Sequence, residues 1–410
     1  MRTLRLLFVP LILALLIAGC DAAGPSETKP AEPPRALTEA EKQVVDSDNR
    51  FGLKLFRTLS DDAAGENVFI SPLSVSMALG MTLNGAEGET RAAMEEALEH
   101  AGLSEAEINK SYRGLIDLLT TLDPEVTLSI ANSIWHDQRF AVEPAFIDTN
   151  ETYFDAQVEA LDFTDPGAVD TINSWVSDKT RGKIDKILQS ISPDEVMFLI
   201  NALYFKGTWT NEFDEADTKE EAFTQHDGST TQVPMMHQEV SLPYFDTEQF
   251  RAVDIPYGDS LYSMTVLLPR EGHDVDALAA NLDQQTWNDW TNRFETRGID
   301  LKLPRFKLEY KEKLNDALKA LGMGVAFSCR QANFSGINPD QDLCISKVKH
   351  KTFLEVNEEG TEAAAVTSVG VEATSVGGGL MEMHVNRPFV LAIRERHSGT
   401  ILFIGKVTSL

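Results

Sequence analysis

Between Glu358 and Asn386 the chain runs for nearly 30 residues without a Lys, Arg, Phe, Tyr or Trp, and is rich instead in Ala, Gly, Ser, Thr and Val. Loops of this length in compact domains are functional or disordered. The first half alternates with period two. Thr361, Ala363, Ala365, Thr367, Val369 and Val371 fall on one face, and Glu362, Ser368 and Glu372 on the other. A strand with a small inward face and outward charges can slide between two other strands, because no bulky group has to be forced through the gap. Gly377, Gly378 and Gly379 then supply slack.

The rest of the chain has the composition of a globular protein. Over 410 residues, 42 % are hydrophobic and 24 % charged, which supplies a large core and excludes global disorder. Sixty-four acidic residues against 36 basic ones give a formal charge of −28, which disfavours nucleic acid and heparin-like polyanions as partners. Thr38 to Glu41 has capping-box spacing, and Val44, Phe51, Leu55 and Leu59 follow at helical intervals, so folded structure is expected from residue 38. Helical patterns at 72–83, 90–99, 105–121 and 311–321 are interleaved with strand patterns at 127–135, 196–206, 261–268, 299–308, 343–356 and 389–404. Val196 to Phe205 and Leu261 to Leu268 are nearly continuous apolar runs, as expected of strands covered on both faces. No second linker interrupts this pattern, so 38–410 is read as one α+β domain.

The first residues read as an address. Arg2 and Arg5, an apolar run from Leu6 to Ile17, and Ala18-Gly19-Cys20 make up the three sections of a secretory signal. The ending resembles the bacterial lipoprotein signal, which implies removal of 1–19 and lipidation of Cys20. Loss of Arg2 and Arg5 leaves 34 basic residues against 64 acidic, or −30. Two or three acyl chains hold a protein at a membrane where one holds only marginally. Residues 20–37, with Pro25, Pro30, Pro33 and Pro34, have tether composition. The protein is expected at the bacterial cell envelope, periplasmic or at the cell surface, and in the extracellular space if released.

No Gly-x-Ser-x-Gly elbow, His-Glu-x-x-His zinc motif or Gly-x-Gly-x-x-Gly loop occurs. Gly399 to Lys406 misses the phosphate-loop spacing by one residue and lies in an apolar strand. No cofactor, metal or catalytic role is therefore expected. The alternative of a lipid-anchored solute-binding protein predicts two comparable α/β lobes and gives the 358–386 segment no purpose.

The hinge Glu358-Glu359-Gly360-Thr361-Glu362-Ala363-Ala364-Ala365 resembles that of inhibitory serpins. Asn67-Val68-Phe69-Ile70-Ser71-Pro72-Leu73-Ser74, Asn201 to Trp209, Val233-Pro234-Met235-Met236 and Asn386-Arg387-Pro388-Phe389 resemble further serpin landmarks in serpin order. The resemblance implies the serpin fold: a large mixed sheet with an insertable reactive loop, further sheets and about eight or nine helices. It also implies a suicide substrate. A protease nucleophile attacks the loop, and the freed hinge, with Val366 and Thr367 following, inserts as a strand before the acyl-enzyme can hydrolyse. About 14 inserted residues gaining 0.5 to 1.5 kcal/mol of hydrogen bonding each would release on the order of 10 kcal/mol. A non-inhibitory serpin, the other alternative, would show bulky, charged or Pro residues on the inserting face, and 361–371 has none.

Carrying the family's spacing from Glu358 puts the cleaved bond at Thr374-Ser375, while counting back from Pro388 gives Gly377. The hinge count is preferred because insertion length is mechanically constrained. With no basic residue in the loop, trypsin-like targets are disfavoured, and only Leu380 or Met381 would suit a chymotrypsin-like one. Val371 to Thr374 suits an elastase-like or subtilisin-like serine protease, with Val371 and Val376 as secondary cuts. The protein is expected to meet that partner as a monomer.

The resemblance also implies that Ser71, Ser74, Asn201 and His350 form a cluster controlling strand separation. From pattern alone His350 reads as a satisfied core histidine on a face with Val348, Thr352, Leu354 and Val356. Trp209 would lie beneath the point where the loop enters, and Arg305 would pair with Glu358 there. The competing reading of those charges is a solvated surface pair worth under about 1 kcal/mol. Cys329 and Cys344 would form a disulfide in an oxidising space or remain two buried thiols.

Overall fold

The computed structural model describes residues 33–361 and 379–410. The signal, Cys20, hinge residues Glu362 to Thr367 and the bond Thr374-Ser375 lie outside the described residues.

Helix α1 (Glu39–Asp62) starts at Thr38 with both hydrogen bonds of a capping box, and its Val44, Phe51, Leu55 and Leu59 are buried as their spacing predicts. Arg35, still within the expected tether, already pairs with Glu41 at 2.7 Å and donates to the Gly114 carbonyl at 2.8 Å. After β1 (Val68–Ile70), Ser71 caps α2 (Pro72–Leu83), a helix buried on nearly every side. Then follow α3 (Gly88–Ala97), α4 (Glu105–Leu119), β2 (Val126–Asp137), α5 (Pro144–Phe154), β3 (Ala156–Leu161), α6 (Gly167–Lys179) and β4 (Met197–Thr208). The middle of the chain is mostly strand: β5 (Lys219–Thr224), β6 (Thr230–Asp246), β7 (Phe250–Tyr257) and β8 (Tyr262–Pro269). Two short helices, α7 (Val275–Ala280) and α8 (Gln284–Thr291), precede β9 (Glu295–Pro304) and β10 (Phe306–Lys313). Helix α9 (Asn315–Ala320), β11 (Lys349–Val356), β12 (Gly360–Thr361), β13 (Met381–His384), β14 (Phe389–Glu395) and β15 (Ile401–Val407) complete the order.

Among the described residues the strands form two mixed sheets. The larger runs β1-β15-β14-β8-β7-β6-β9-β13, with β5 on β6; the smaller runs β10-β11-β12-β4-β2-β3. Among the described residues there are nine α-helices. One continuous core, reaching from Val44 to Val407, lies between the sheets and the helices, so the two lobes of a solute-binding protein are not formed. A second cluster, including Trp135, Trp175, Ile184, Leu188, Ile200 and Ala202, sits between α6 and the outer face of the smaller sheet. Each large side chain buried this way contributes about 1.5 to 3 kcal/mol.

Four expected elements differ. The pattern at 299–308 divides at Arg305 into β9 and β10, which join different sheets. The run 389–404 is a hairpin, because Gly399 adopts φ +80° and the Glu395 carboxylate accepts the Ser398 amide at 2.6 Å, closing a turn. Lys311 to Lys313 extend β10, so α9 is short. Residues 343–348 precede β11 without joining its ladder; Ile345 donates instead to the Ala326 carbonyl at 2.9 Å. Lys406, in the near phosphate-loop motif, is fully buried on β15 and binds Asp276 and the Ser60 and Ala63 carbonyls.

Strand β8 is buried along its whole length, whereas β4 is only half-buried at its start. The cause is a gap in the smaller sheet. β12, two residues long, separates β11 from β4, and below it no register pair joins those strands among the described residues. A cavity of about 470 Å³ fills that position, lined by Asp194 to Leu203 on the β4 side, Gln341 to Thr352 on the β11 side, and Val176, Ile184 and Leu188 above.

Candidate functional site: a sheet open beside its loop

The mouth of the gap is built from residues far apart in sequence. Trp209 is 2 % exposed and stacks on Tyr257 with ring centroids 4.3 Å apart. Its indole N–H donates to the Asn357 carbonyl at 2.9 Å, and its amide to the Glu359 carbonyl at 2.8 Å. Gly360 and Thr361 thereby pair with Thr208 and Gly207 of β4, while Thr361 also faces Val356 of β11. This approach needs glycine. A Cβ on Gly360 would sit 2.0 Å from the Gly207 carbonyl oxygen, and one on Gly207 would sit 2.9 Å from the Tyr257 ring.

Glu358 is buried at the same point. Its carboxylate accepts the Thr218 hydroxyl at 2.7 Å and lies 3.4 Å from the Arg305 guanidinium. Arg305 is half exposed, so the pair is a surface contact on one side only. The Tyr257 hydroxyl and the Thr361 hydroxyl are 2.6 Å apart, both residues being buried.

Midway down, the gap is lined by Ser71, Ser74, Asn201 and His350. The Ser71 amide donates to His350 Nε2 at 3.0 Å, and the Ser71 hydroxyl accepts the Ser74 amide at 3.3 Å. Burial pushes the His350 pKa down to about 4, so the imidazole is neutral and accepts. A Ser-His nucleophile is not formed: the contact comes from a backbone amide, and the Ser71 hydroxyl is committed to capping α2. Asn201 reaches a different partner, donating to Asn132 on β2 at 2.8 Å, and its own carbonyl oxygen is buried without a partner.

At the foot of the gap Cys329 and Cys344 are joined as a disulfide, with Cα atoms 4.7 Å apart, and both line the cavity. On the far side of the loop Leu380 and Met381 are 40 % and 43 % exposed, Met381 opening the edge strand β13. Tyr257, Thr218 and Asn132 escape sequence reasoning; Tyr257 before Gly258, ending an apolar strand, is their nearest signal. Among the described residues, His226, Asp274 and Asp276 have metal-ligand atoms within 4.8 Å of one another. Asp276 is already shared by Lys406 and the Gly65 amide, which leaves a poor site for a cation. No helix among the described residues is long and apolar enough to cross a membrane.

The serpin (serine protease inhibitor) family model matches residues 46–410. Iripin-5 of Ixodes ricinus is 36 % identical over 377 residues, covering 90 % of this chain and 95 % of that protein. The leukocyte elastase inhibitor of Bos taurus is 34 % identical over 380 residues, covering 90 % and 100 %. Among solved structures, the native state of the thermophilic serpin tengpin superposes with a TM-score of 0.83 at 36 % identity, covering 93 % of this chain and 98 % of that one. Human thyroxine-binding globulin, in complex with thyroxine, gives 0.82 at 29 %, covering 90 % and 99 %. The chain belongs to the serpin (serine protease inhibitor) family.

Proposed function

We propose that the protein is a suicide-substrate inhibitor of small-pocket serine endopeptidases, elastase-like or subtilisin-like, cut at Thr374-Ser375 and trapping its target by inserting residues 362–374 between β4 and β11. The observation that carries this reading is the gap, already started by Gly360 and Thr361. Continuing the register of Thr361 one residue at a time sets Ala363 beside Phe205 and Leu354, Ala365 beside Leu203 and Thr352, and Thr367 beside Asn201 and His350. Those neighbours belong to the inner face, where Phe205, Leu203 and Leu354 are buried, which explains why the arriving residues are small. Val366, on the opposite face, would meet Ala202 beneath α6, an apolar setting that suits its size.

The same register supports the cleavage assignment. Extended past the ends of β4 and β11, the register brings Thr374 level with Asp194 and Leu343, and the cavity lining reaches Asp194 on the β4 side and Gln341 on the β11 side. A strand ending at Gly377 would overrun it. The likeness to the leukocyte elastase inhibitor supports a target with a small pocket. The thyroxine-binding relative is in complex with thyroxine, and a non-inhibitory role remains the second reading.

The test mixes the protein with elastase-like, subtilisin-like, chymotrypsin-like and trypsin-like proteases, followed by denaturing gels and mass spectrometry. An SDS-resistant adduct with a released peptide beginning at Ser375 is expected. Clean cutting by every protease with full retained activity overturns inhibition. Localisation at the envelope through Cys20 is part of the same proposal, and Cys20→Ser is expected to abolish incorporation of labelled fatty acid.

A further inference from the structure

The foot of the gap is spanned by an ion pair that is buried on its Glu195 side and exposed on its Lys347 side. Glu195, two residues before β4, is 6 % exposed, and its carboxylate takes the Lys347 ammonium at 2.9 Å, the Ser192 amide at 2.7 Å and the Ser346 hydroxyl at 3.4 Å. Lys347 stands two residues before β11, so the pair reaches from one wall of the cavity to the other. The β11 side cannot give way readily. Cys344 is bonded to Cys329, Ile345 donates to Ala326, and Ser346 and Val348 are held by the Asn315 side chain at 2.8 and 2.9 Å. Extended beyond the ends of β4 and β11, the register of Thr361 brings Ala373 level with Glu195 and Gly370 level with Lys347, so the last inserted residues arrive where the pair stands. Burial works against the Glu195 carboxylate, but the Ser192 amide and Lys347 outweigh it and hold its pKa below the ordinary value. Lys349, two residues along at the start of β11, is pushed down by burial and by Lys347.

We propose that Glu195 and Lys347 form a gate on the final stage of loop insertion, an ion pair that the arriving strand must displace and that slows both trapping and spontaneous insertion of the uncut loop. The proposal rests on the inhibitory reading above. Glu195 and Lys347 are positioning residues: they touch neither the protease nor the cleaved bond. Substituting either one removes the bar while leaving the hinge and the mouth of the gap unaltered.

The experiment cuts the loop of the full chain with stoichiometric protease and follows insertion by stopped-flow tryptophan fluorescence, since Trp209 binds Asn357 at the mouth of the gap and Trp175 shares a core cluster with the lining residues Val176, Ile184 and Leu188. Thermal stability before and after the cut gives the end point. Glu195→Gln and Lys347→Met are expected to insert about tenfold faster than wild type, and Lys347→Arg at the wild-type rate. The double variant is expected to be no faster than either single one, because both remove the same interaction. A wild type that gains stability on cutting, with variants inserting within about twofold of its rate, overturns the gate alone. A wild type that gains none overturns the inhibitory reading and the gate with it.

Discussion

The hydroxyl of Tyr257, at the end of β7, lies 2.6 Å from the hydroxyl of Thr361, the last described residue before the reactive loop. Burial pushes the phenol pKa up, so Tyr257 stays neutral and this hydrogen bond forms at every pH the protein meets. Trp209 fixes the ring by stacking on it, and Gly207 leaves room for it. In the proposed mechanism this is the first step of insertion, and the Tyr257–Thr361 bond is one of the contacts that hold it, beside the Trp209 bonds and the pairing with β4 and β11.

Tyr257→Phe keeps the stacked ring and removes that bond. A buried hydrogen bond is worth about 1 kcal/mol, so insertion after cleavage should start more slowly and more acyl-enzyme should hydrolyse. The expected outcome is a several-fold rise in the molar ratio of inhibitor needed per protease, with the rate of first encounter unchanged. A titration of residual protease activity measures the ratio, and an unchanged value denies Tyr257 this part.

A second prediction concerns the orphaned carbonyl oxygen of Asn201. In the continued register the hydroxyl of Thr367 arrives beside it and can donate to it. Thr367→Val keeps the shape and removes the donor, and leaving a buried acceptor unpaired costs about 1 to 3 kcal/mol. The cleaved variant should melt several degrees below the cleaved wild type, while the two uncut proteins melt together. Calorimetry on the four samples decides it.

How far the sequence alone reaches is clear from these residues. Spacing exposes the α1 capping box at Thr38 and the small face of 361–371, because both are local periodicities. Family motifs bring Ser71, Ser74, His350, Trp209 and Glu358 into view. Tyr257 meets Thr361 across 104 positions of sequence, and Glu195 meets Lys347 across 152, with no period or motif marking either. Strand ends depart from the hydrophobic pattern where a carboxylate or a disulfide overrides it, at Glu395 and at Cys344.

The cluster at His350 makes the intact fold sensitive to acid. Burial holds its folded pKa near 4, below the unfolded value of about 6.5. The unfolded chain therefore binds the extra proton between those values, and stability falls as pH drops from about 6.5 to 4, by at most about 3 kcal/mol from this group. Above 6.5 both states are neutral and the group adds no pH dependence. His350→Gln should flatten that part of the curve of urea midpoint against pH, and a variant as acid-sensitive as wild type over that window contradicts the assignment.

The cleaved bond can be tested by changing its specificity. The loop offers no basic residue, and a trypsin-like pocket closes on Lys or Arg by pairing it with a buried Asp. Thr374→Arg supplies that side chain at the position where the register reaches the foot of the cavity, leaving the inserting length 362–374 intact. The variant should form an SDS-resistant complex with a trypsin-like protease that leaves the wild type uncut, and the released peptide should still begin at Ser375. Gly377→Arg offers the same protease a bond three residues farther on. If the bond at 374 is the right one, the Gly377 variant is cleaved mostly as a substrate, because the longer strand no longer draws the protease fully against the foot of the gap before hydrolysis. Efficient trapping by Gly377→Arg and simple cleavage of Thr374→Arg would move the reactive bond to Gly377.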